Sequence, residues 1–125
     1  MNKKINTSQA PAALGPYSQA IEAGNFIFVS GQLPIDPATG QFVNDDICEL
    51  TRQSLTNIRN ILEEAGFSMS NVVKTTVMLT DMNDFPRMNE VYAEFFREPF
   101  PARSAFAVKT LPKGGKIEIE CIAKK

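Results

Sequence analysis

Residues 46–80 read DICELTRQSLTNIRNILEEAGFSMSNVVKTTVMLT, and they indicate the fold class because a helical pattern runs directly into a strand pattern. Apolar residues recur at spacings of three and four in the first half, which predicts one buried stripe along an α-helix. The stripe comprises Ile47, Leu50, Leu55, Ile58, Ile61, Leu62 and Ala65. Asp46 and Glu49 match a capping box at the helix start, and Gly66 is a typical helix stop. Residues 72–80 are rich in β-branched side chains and predict a strand.

Shorter elements flank this helix and strand on both sides. Before the helix we expect a strand over residues 18–23, a turn at Gly24-Asn25, a strand over 26–30, a turn over 36–40 and a short strand ending near residues 42–43. Later we expect a second helix that begins near Asp84 with Pro86 in its first turn and is ended by Pro99 and Pro101, then strands over residues 104–108 and 117–123. The order β-β-β-α-β-α-β-β predicts a single α+β domain over residues 1–125, with two helices packed on one face of a mixed sheet.

The strand over residues 26–30 indicates more than one subunit. In Phe26-Ile27-Phe28-Val29 the side chains on both alternating faces are apolar, so this strand needs cover on both sides. If both helices lie on one side of the sheet, the other side is covered either by another subunit or by loops of the same chain. Because monomers rarely expose large apolar patches, we expect an oligomer whose sheets enclose a shared interior.

The composition argues against several classes of function. The chain has 125 residues, a net charge of −1 at pH 7 and a pI of about 5.4, so no basic surplus is available to neutralise a nucleic-acid backbone. It contains no histidine, which removes Ser-His-Asp triads, Cys-His pairs and nearly all zinc sites. Any chemistry must therefore use carboxylate, Arg, Lys, Tyr, backbone groups and water.

Nothing in the sequence predicts insertion into a membrane or export across one. No apolar run approaches the roughly 20 residues of a membrane span. Residues 1–5 lack the apolar core of a signal peptide. We therefore expect a cytoplasmic protein in which Cys48 and Cys121 are reduced thiols.

Arg103 is the first candidate for a binding residue. It follows Pro101 and Ala102 and opens an apolar strand, where its charge needs a partner. A planar guanidinium matches a carboxylate through two parallel hydrogen bonds. That carboxylate belongs either to a substrate or to the chain itself, as in an ion pair with Glu118 or Glu120, and the residue types alone favour the ion pair.

Glu118 is the second candidate. In the segment KIEIE at residues 116–120, strand alternation puts Glu118 and Glu120 on one face and the isoleucines on the other. With the isoleucines under the helices, the glutamates face the opposite side, which is the interface in an oligomer. A partly desolvated carboxylate has a raised pKa and can act as a general acid or base. A solvated edge strand with two surface acids is the alternative.

Three other residues have chemistry that suits a cleft. Tyr17 offers a flat ring and a hydroxyl directly after the tight turn of residues 15–16. Gly31 permits either a close approach of ligand to backbone or a β-bulge. Asn89 lies on the second helix, where it can project toward a neighbour. The structural alternatives are core packing for Tyr17, a bulge for Gly31 and solvent exposure for Asn89.

Four segments resemble the motifs of the RidA/YjgF family in their order and spacing. They are GPYSQA at residues 15–20, VSGQ at 29–32, PARS at 101–104 and IEIE at 117–120. The likeness covers essentially the whole chain, and PARS followed by Leu111-Pro112 and then IEIE is specific. This resemblance implies a chorismate-mutase-like α+β fold and a homotrimer with three clefts between its subunits.

The same resemblance implies a hydrolase acting on C–N bonds, a 2-iminobutanoate/2-iminopropanoate deaminase. Such an enzyme converts the imine tautomers of 2-aminoacrylate and 2-aminocrotonate to 2-keto acids and ammonia. By similarity, Arg103 binds the substrate carboxylate and Glu118 holds or activates the attacking water. The substrate-binding residues so implied are Tyr17, Ser30, Gly31, Asn89 and Arg103, with Asn89 contributed by a neighbouring chain. An imine beside a carboxylate is already electrophilic, so the reaction requires no metal, cofactor or covalent nucleophile.

One residue departs from the family pattern. Many relatives have a cysteine two residues after the arginine, where this chain has Ala105. We therefore expect deaminase activity that is retained but altered in rate or substrate size.

A regulatory trimer that binds a 2-keto acid without turnover would share the same cleft and is the first alternative function. An RNA-directed translation inhibitor or ribonuclease is less favoured because of the acidic pI and absent histidine. A chorismate mutase is weaker still, because only Arg103 is placed for its dianionic substrate.

The pairing of the last two strands decides whether Arg103 and Glu118 meet. If residues 104–108 and 117–121 form a simple hairpin, Arg103 pairs near Ile122, about 13 Å along the strand from Glu118. The two side chains would then meet only if they extend toward each other along the sheet or if they come together across a subunit interface.

Overall fold

A computed structural model describes all of residues 1–125, with eight strands and two α-helices. The strands are β1 (Lys3–Ile5), β2 (Ala20–Ala23), β3 (Phe26–Gln32), β4 (Ile35–Asp36), β5 (Gln41–Phe42), β6 (Val72–Leu79), β7 (Ala102–Ala107) and β8 (Ile117–Lys124). The helices are α1 (Ile47–Glu64) and α2 (Phe85–Phe95). Neither helix combines the length and the hydropathy that a bilayer-spanning segment needs.

Six strands form one mixed sheet in the order β1-β2-β3-β8-β6-β7, and β4 and β5 form a separate two-stranded sheet. All neighbours in the large sheet are antiparallel except β6 and β7, which run parallel. Parallel neighbours require a crossover, and α2 lies in that connection. Because β8 lies between β3 and β6, the possible hairpin of residues 104–108 with 117–121 is wrong.

The core lies between the sheet and both helices, as the sequence predicted. β8 contributes Ile117, Ile119, Cys121 and Ala123, and α1 contributes Leu55, Ile58, Ile61 and Leu62. The predicted stripe of α1 is confirmed, although Ala65 lies just beyond the helix and is only partly buried. Cys48 and Cys121 are both free thiols, and the Cys121 thiol is buried in this core. The expected α+β class, with two helices on a mixed sheet, is therefore confirmed.

The ends of several elements differ from the sequence predictions. An additional edge strand, β1, pairs with β2 ahead of the first expected strand. The capping box at Asp46 is wrong, because its carboxylate makes no bond to the backbone of α1 and instead accepts a hydrogen bond from Arg87 Nη2 at 2.7 Å. α2 ends at Phe95, before Pro99, because Phe96 has already turned to an extended conformation.

The side of the sheet opposite the helices, called here the open face, carries large apolar side chains. Ile27 and Val29 are 0% and 4% exposed in the core, whereas Phe26 and Phe28 on the open face are 39% and 46% exposed. Phe106 of β7 is 45% exposed. The expectation that β3 is apolar on both faces is confirmed, and within one chain no loop covers its phenylalanines.

Asn57 connects α1 to the segment that follows β3. Its side chain is fully buried, and Nδ2 donates to the backbone carbonyls of Leu33 at 3.2 Å and Ile35 at 3.0 Å. Leu33 lies in the link between β3 and β4, where its carbonyl also accepts from Ile35 N at 2.8 Å, and Ile35 is the first residue of β4. By contrast, the equally buried Ser54 hydroxyl, three residues earlier on α1, has no hydrogen-bond partner.

Replacing Asn57 with alanine is expected to lower the free energy of unfolding by about 1–3 kcal/mol, because the buried carbonyls of Leu33 and Ile35 each lose a hydrogen bond. Ser54→Ala is the matched control, since it removes a buried polar group that bonds to nothing. It should leave stability unchanged or raise it by about 1 kcal/mol. Urea unfolding at one fixed protein concentration measures both variants. Equal losses would show that these hydrogen bonds do not hold the link.

Candidate active site

The chain has two cavities that contain the predicted site residues. The Glu118 cavity, of about 550 Å³, is lined by Tyr17, Gly31, Leu33, Lys113 and Glu118 among others. The Arg103 cavity, of about 410 Å³, is lined by Asn89, Tyr92, Ala93, Phe100, Pro101 and Arg103. No group of three or more His, Cys, Asp or Glu side chains is arranged to hold a metal ion.

The carboxyl group of Glu118 lies against the backbone of Gly31. A Cβ on residue 31 would lie 2.7 Å from Glu118 Oε2 and 2.8 Å from the carboxyl carbon, so a side chain there would displace the carboxyl group. The register of β3 against β8 also shifts between Val29 and Gln32, which marks a bulge. The bulge predicted as one alternative for Gly31 is therefore present, and the group that approaches its backbone is the chain's own carboxyl.

The position of Glu118 changes its acidity. Burial raises the pKa of its carboxyl above the usual value, and the charge of Glu120 on the same face of β8 raises it further. Such a carboxyl keeps its proton to a higher pH than an exposed glutamate does. It is consequently better matched to accepting and returning a proton near neutral pH.

Tyr17 enters the Glu118 cavity from a turn that two interactions secure. Its backbone N–H donates to Gly15 O at 2.9 Å, and Gly15 has a φ of 149° that few other residues adopt. Ser30 Oγ donates to Ser18 O at 2.6 Å, which ties the residue after Tyr17 to β3. Ser30 is not among the residues that line the cavity, so within the chain it acts on Tyr17 through the backbone.

Gln19 supports the same cavity and was not predicted as a site residue, although it lies within the GPYSQA segment of residues 15–20. Its side chain is 1% exposed. Nε2 donates to the carbonyls of Thr7, Ala10 and Pro11, while Oε1 accepts from Thr7 N. This clamp holds the segment that ends in Pro11, a wall of the cavity. The sequence signal was a glutamine directly before an apolar strand, a position that is easily buried. A buried amide needs several hydrogen-bond partners, so such a glutamine is expected to bind neighbouring backbone groups.

Arg103 lies on the face of the sheet that carries the helices, against α2. Nη1 donates to Asn89 Oδ1 at 2.7 Å, and Cζ lies 4.7 Å from the ring centroid of Tyr92 and 5.4 Å from that of Phe85. The three partners are spaced by four and three residues, so they share one face of α2. The ion pairs of the chain involve only Arg52 and Arg87. The alternative of an internal ion pair for Arg103 is therefore wrong, and its guanidinium keeps unused donors.

Arg103 and Glu118 do not meet within one chain. Arg103 pairs with Thr75 and Glu118 pairs with Met78, so the two flank β6 about 10 Å apart along the strand and about 10 Å apart across it. Thr75 is 1% exposed beneath the helices, and residues three apart on a strand point to opposite faces. The guanidinium consequently faces the helices, whereas the carboxyl group faces the open side.

The comparisons with known proteins agree on one family. A family model described as Endoribonuclease L-PSP matches residues 7–125. A RutC family protein of Pyrococcus horikoshii is 59% identical over 125 residues, which are 100% of this chain and 99% of the relative. A 2-iminobutanoate/2-iminopropanoate deaminase of Bos taurus is 53% identical over 123 residues, which are 98% of this chain and 90% of the relative. The crystal structure of the YjgF gene product of E. coli has a TM-score of 0.93 at 49% identity, covering 98% of each chain.

Replacing Glu120 with glutamine is expected to lower the pKa of Glu118, because one of the two causes of its elevation is removed. Burial remains, so the pKa should stay above the usual glutamate value of about 4.3. A ¹³C NMR titration of the side-chain carboxyls measures this in the wild type and the variant. Glu63→Gln, at the end of α1, is the control and should leave the pKa of Glu118 unchanged. A wild-type pKa at or below the usual value would contradict the expectation.

Proposed function

The chain belongs to the endoribonuclease L-PSP family, the RidA/YjgF family that its motifs resemble, and on this basis we propose that it is a 2-imino-acid deaminase. The proposed substrates are the imine tautomers of 2-aminoacrylate and 2-aminocrotonate, and the products are the 2-keto acids and ammonia. A relative that shares 53% of its residues carries the name of this activity. The proposed location is the cytoplasm, and a single domain over residues 1–125 remains a prediction.

The observation that carries this proposal is the unpaired guanidinium of Arg103. Asn89 occupies one of its donors, and the rings of Tyr92 and Phe85 lie beside it, so its orientation is restricted. No carboxylate of the chain takes the remaining donors. A guanidinium in this state suits a planar carboxylate from outside, which every 2-imino acid carries.

Glu118 is proposed to supply the proton transfers. Its carboxylate accepts a proton from water as the water oxygen attacks the imine carbon, which gives a tetrahedral carbinolamine. The reaction starts from the protonated imine, so the carbinolamine is neutral, and the same carboxyl then returns the proton to its nitrogen. The C–N bond breaks as the Glu118 carboxylate takes up the proton of the carbinolamine hydroxyl, so that ammonia leaves and the keto group forms, and the carboxyl then passes this last proton to ammonia. A raised pKa suits both steps, because it makes the carboxylate a better base toward water while the protonated form can still give its proton to nitrogen.

We propose that the site is completed between neighbouring subunits of a homotrimer. Arg103 and Asn89 would come from one chain, and Glu118, Tyr17, Ser30 and Gly31 from the next. Two features support this arrangement: the two groups leave the sheet on opposite faces, and the open face exposes Phe26, Phe28 and Phe106. Burying about 100 Å² of apolar surface from each phenylalanine would contribute about 2.5 kcal/mol per ring before the cost of association.

Ala105 affects the chemistry of the proposed cleft. It follows Arg103 by two residues, so both side chains leave β7 on the same face, and Ala105 packs against the core. Its methyl group donates and accepts no hydrogen bond. Placement of the attacking water therefore depends on Glu118 and on backbone groups near Gly31.

The purified protein is expected to accelerate 2-keto acid release from 2-aminoacrylate that a dehydratase generates in the same cuvette. Arg103→Ala and Glu118→Ala should each lower kcat/KM by about 10²–10³-fold, because one removes the carboxylate anchor and the other the proton relay. Size-exclusion chromatography with light scattering checks that the oligomer is intact. Binding of a 2-keto acid without turnover would favour a regulatory trimer, and RNA cleavage would favour a ribonuclease.

Mixed oligomers test the division of the site between chains. Subunits carrying Arg103→Ala and subunits carrying Glu118→Ala, each expected to be at least about 10²-fold less active alone, are unfolded together, refolded and assayed. Random mixing should restore about one quarter of the wild-type activity, because that fraction of interfaces combines an intact Arg103 with an intact Glu118. Mixtures of either variant with itself are the control. Without recovery in verified mixed oligomers, both groups would have to act within one chain.

Gly31→Ala is expected to reduce activity by about 10²-fold while the fold persists, because a new Cβ displaces the carboxyl of Glu118 rather than the backbone. The variant's Tm and oligomeric state should stay close to those of the wild type. In a Glu118→Ala background the same change should cost little more, since the displaced group is already gone. Additive losses would mean that Gly31 acts on the reaction independently of Glu118.

A further inference from the structure

A buried hydroxyl on β6 lies next to Arg103 and has no part in the chemistry described above. Thr75 pairs with Arg103 across the parallel strands, and neighbouring residues in register point to the same face. Its side chain is 1% exposed. Thr75 Oγ1 and Tyr92 Oη lie 2.7 Å apart and share a hydrogen bond. Three elements thus meet at this point: β6 through Thr75, α2 through Tyr92 and β7 through Arg103.

Two neighbours, Phe96 and Arg103, restrain the ring of Tyr92 in addition to the hydrogen bond. Its centroid lies 4.6 Å from that of Phe96, and the residue is 5% exposed. Its face lies beneath Arg103, at 4.7 Å from Cζ. A guanidinium over an aromatic ring is attracted by the ring's negative face, and that attraction depends on how the ring is oriented.

We propose that Thr75 is a positioning residue for carboxylate recognition: it fixes the ring of Tyr92, and the ring fixes the plane of the Arg103 guanidinium. A bidentate contact requires that plane to match the plane of the carboxylate. An arginine side chain loses conformational entropy when a ligand orders it. If the Tyr92 ring already orders the Arg103 side chain in the free protein, less entropy is lost when the carboxylate binds. The inference rests on the proposed function only in taking Arg103 as the carboxylate anchor.

Valine at position 75 would fill nearly the same volume and suit a buried strand, so the hydroxyl can be tested separately from the packing. The chain offers a matched control in Thr51, which is 0% exposed and whose Oγ1 donates to Ile47 O at 2.7 Å. Thr75→Val and Thr51→Val each remove one buried, hydrogen-bonded hydroxyl. Only the first of these hydroxyls contacts Tyr92.

The experiment measures the Kd of 2-oxobutanoate by calorimetry, together with Tm, KM and kcat, on the intact oligomer. Thr75→Val is expected to weaken binding about tenfold and to raise KM by a similar factor with kcat nearly unchanged. Thr51→Val should change Kd by less than about twofold while lowering Tm comparably. Thr75→Ser, which keeps a hydroxyl, should restore binding. Tyr92→Phe keeps the ring and removes its hydroxyl, so it provides the same test if Thr75→Val does not assemble.

The outcomes separate this inference from the proposed function. If the wild type binds no 2-keto acid, Arg103 is not a carboxylate anchor, and both are overturned. If the wild type binds normally and Thr75→Val weakens binding no more than Thr51→Val, only the positioning role is overturned. In an Arg103→Ala background, Thr75→Val should leave the residual affinity unchanged, because Thr75 acts through Arg103. A further loss in that background would also overturn the positioning role.

Discussion

The insertion of β8 between β3 and β6 is the constraint on which the remaining structure depends. As a central antiparallel strand, β8 has its backbone groups paired on both sides, and it alternates strictly between faces. Ile117 and Ile119 are each 0% exposed under the helices, which fixes the register. A slip by one residue would carry both isoleucines to the open face and bury Glu118 in the core. The hydrophobic core therefore determines where the carboxyl group points.

The parallel edge strand β7 has the complementary effect on Arg103. Because the chain crosses from β6 to β7 through α2, Arg103 at the start of β7 lies against α2. Asn89 and Tyr92 lie on the face of α2 that contacts Arg103, and they orient its guanidinium without neutralising its charge. An antiparallel hairpin with β8 would have needed no crossover helix, and Arg103 would have lacked these partners.

The sequence predicts the local features that follow from side-chain periodicity and misses those that depend on long-range pairing. The apolar stripe of α1 and the alternation of Glu118 with the isoleucines were both visible, because each depends only on neighbouring residues. The position of β7 in the sheet could not be predicted from the sequence, since the strands expected over residues 104–108 and 117–121 are adjacent in sequence but are separated in the sheet by β6. Asp46 shows the same limit: its carboxylate had a local partner available in the helix backbone and instead pairs with Arg87.

Separating Arg103 from Glu118 within the chain preserves the properties that each group would need for its proposed role. In direct contact they would form an ion pair, which would lower the pKa of Glu118 and occupy the donors of Arg103. The sheet keeps them on opposite faces, so burial raises the pKa of the carboxyl while the guanidinium remains unpaired. If two chains bring them to one cleft, a bound carboxylate can lie against Arg103 and leave Glu118 free for water. Assembly would then create the site, and each isolated subunit would hold only half of the chemistry.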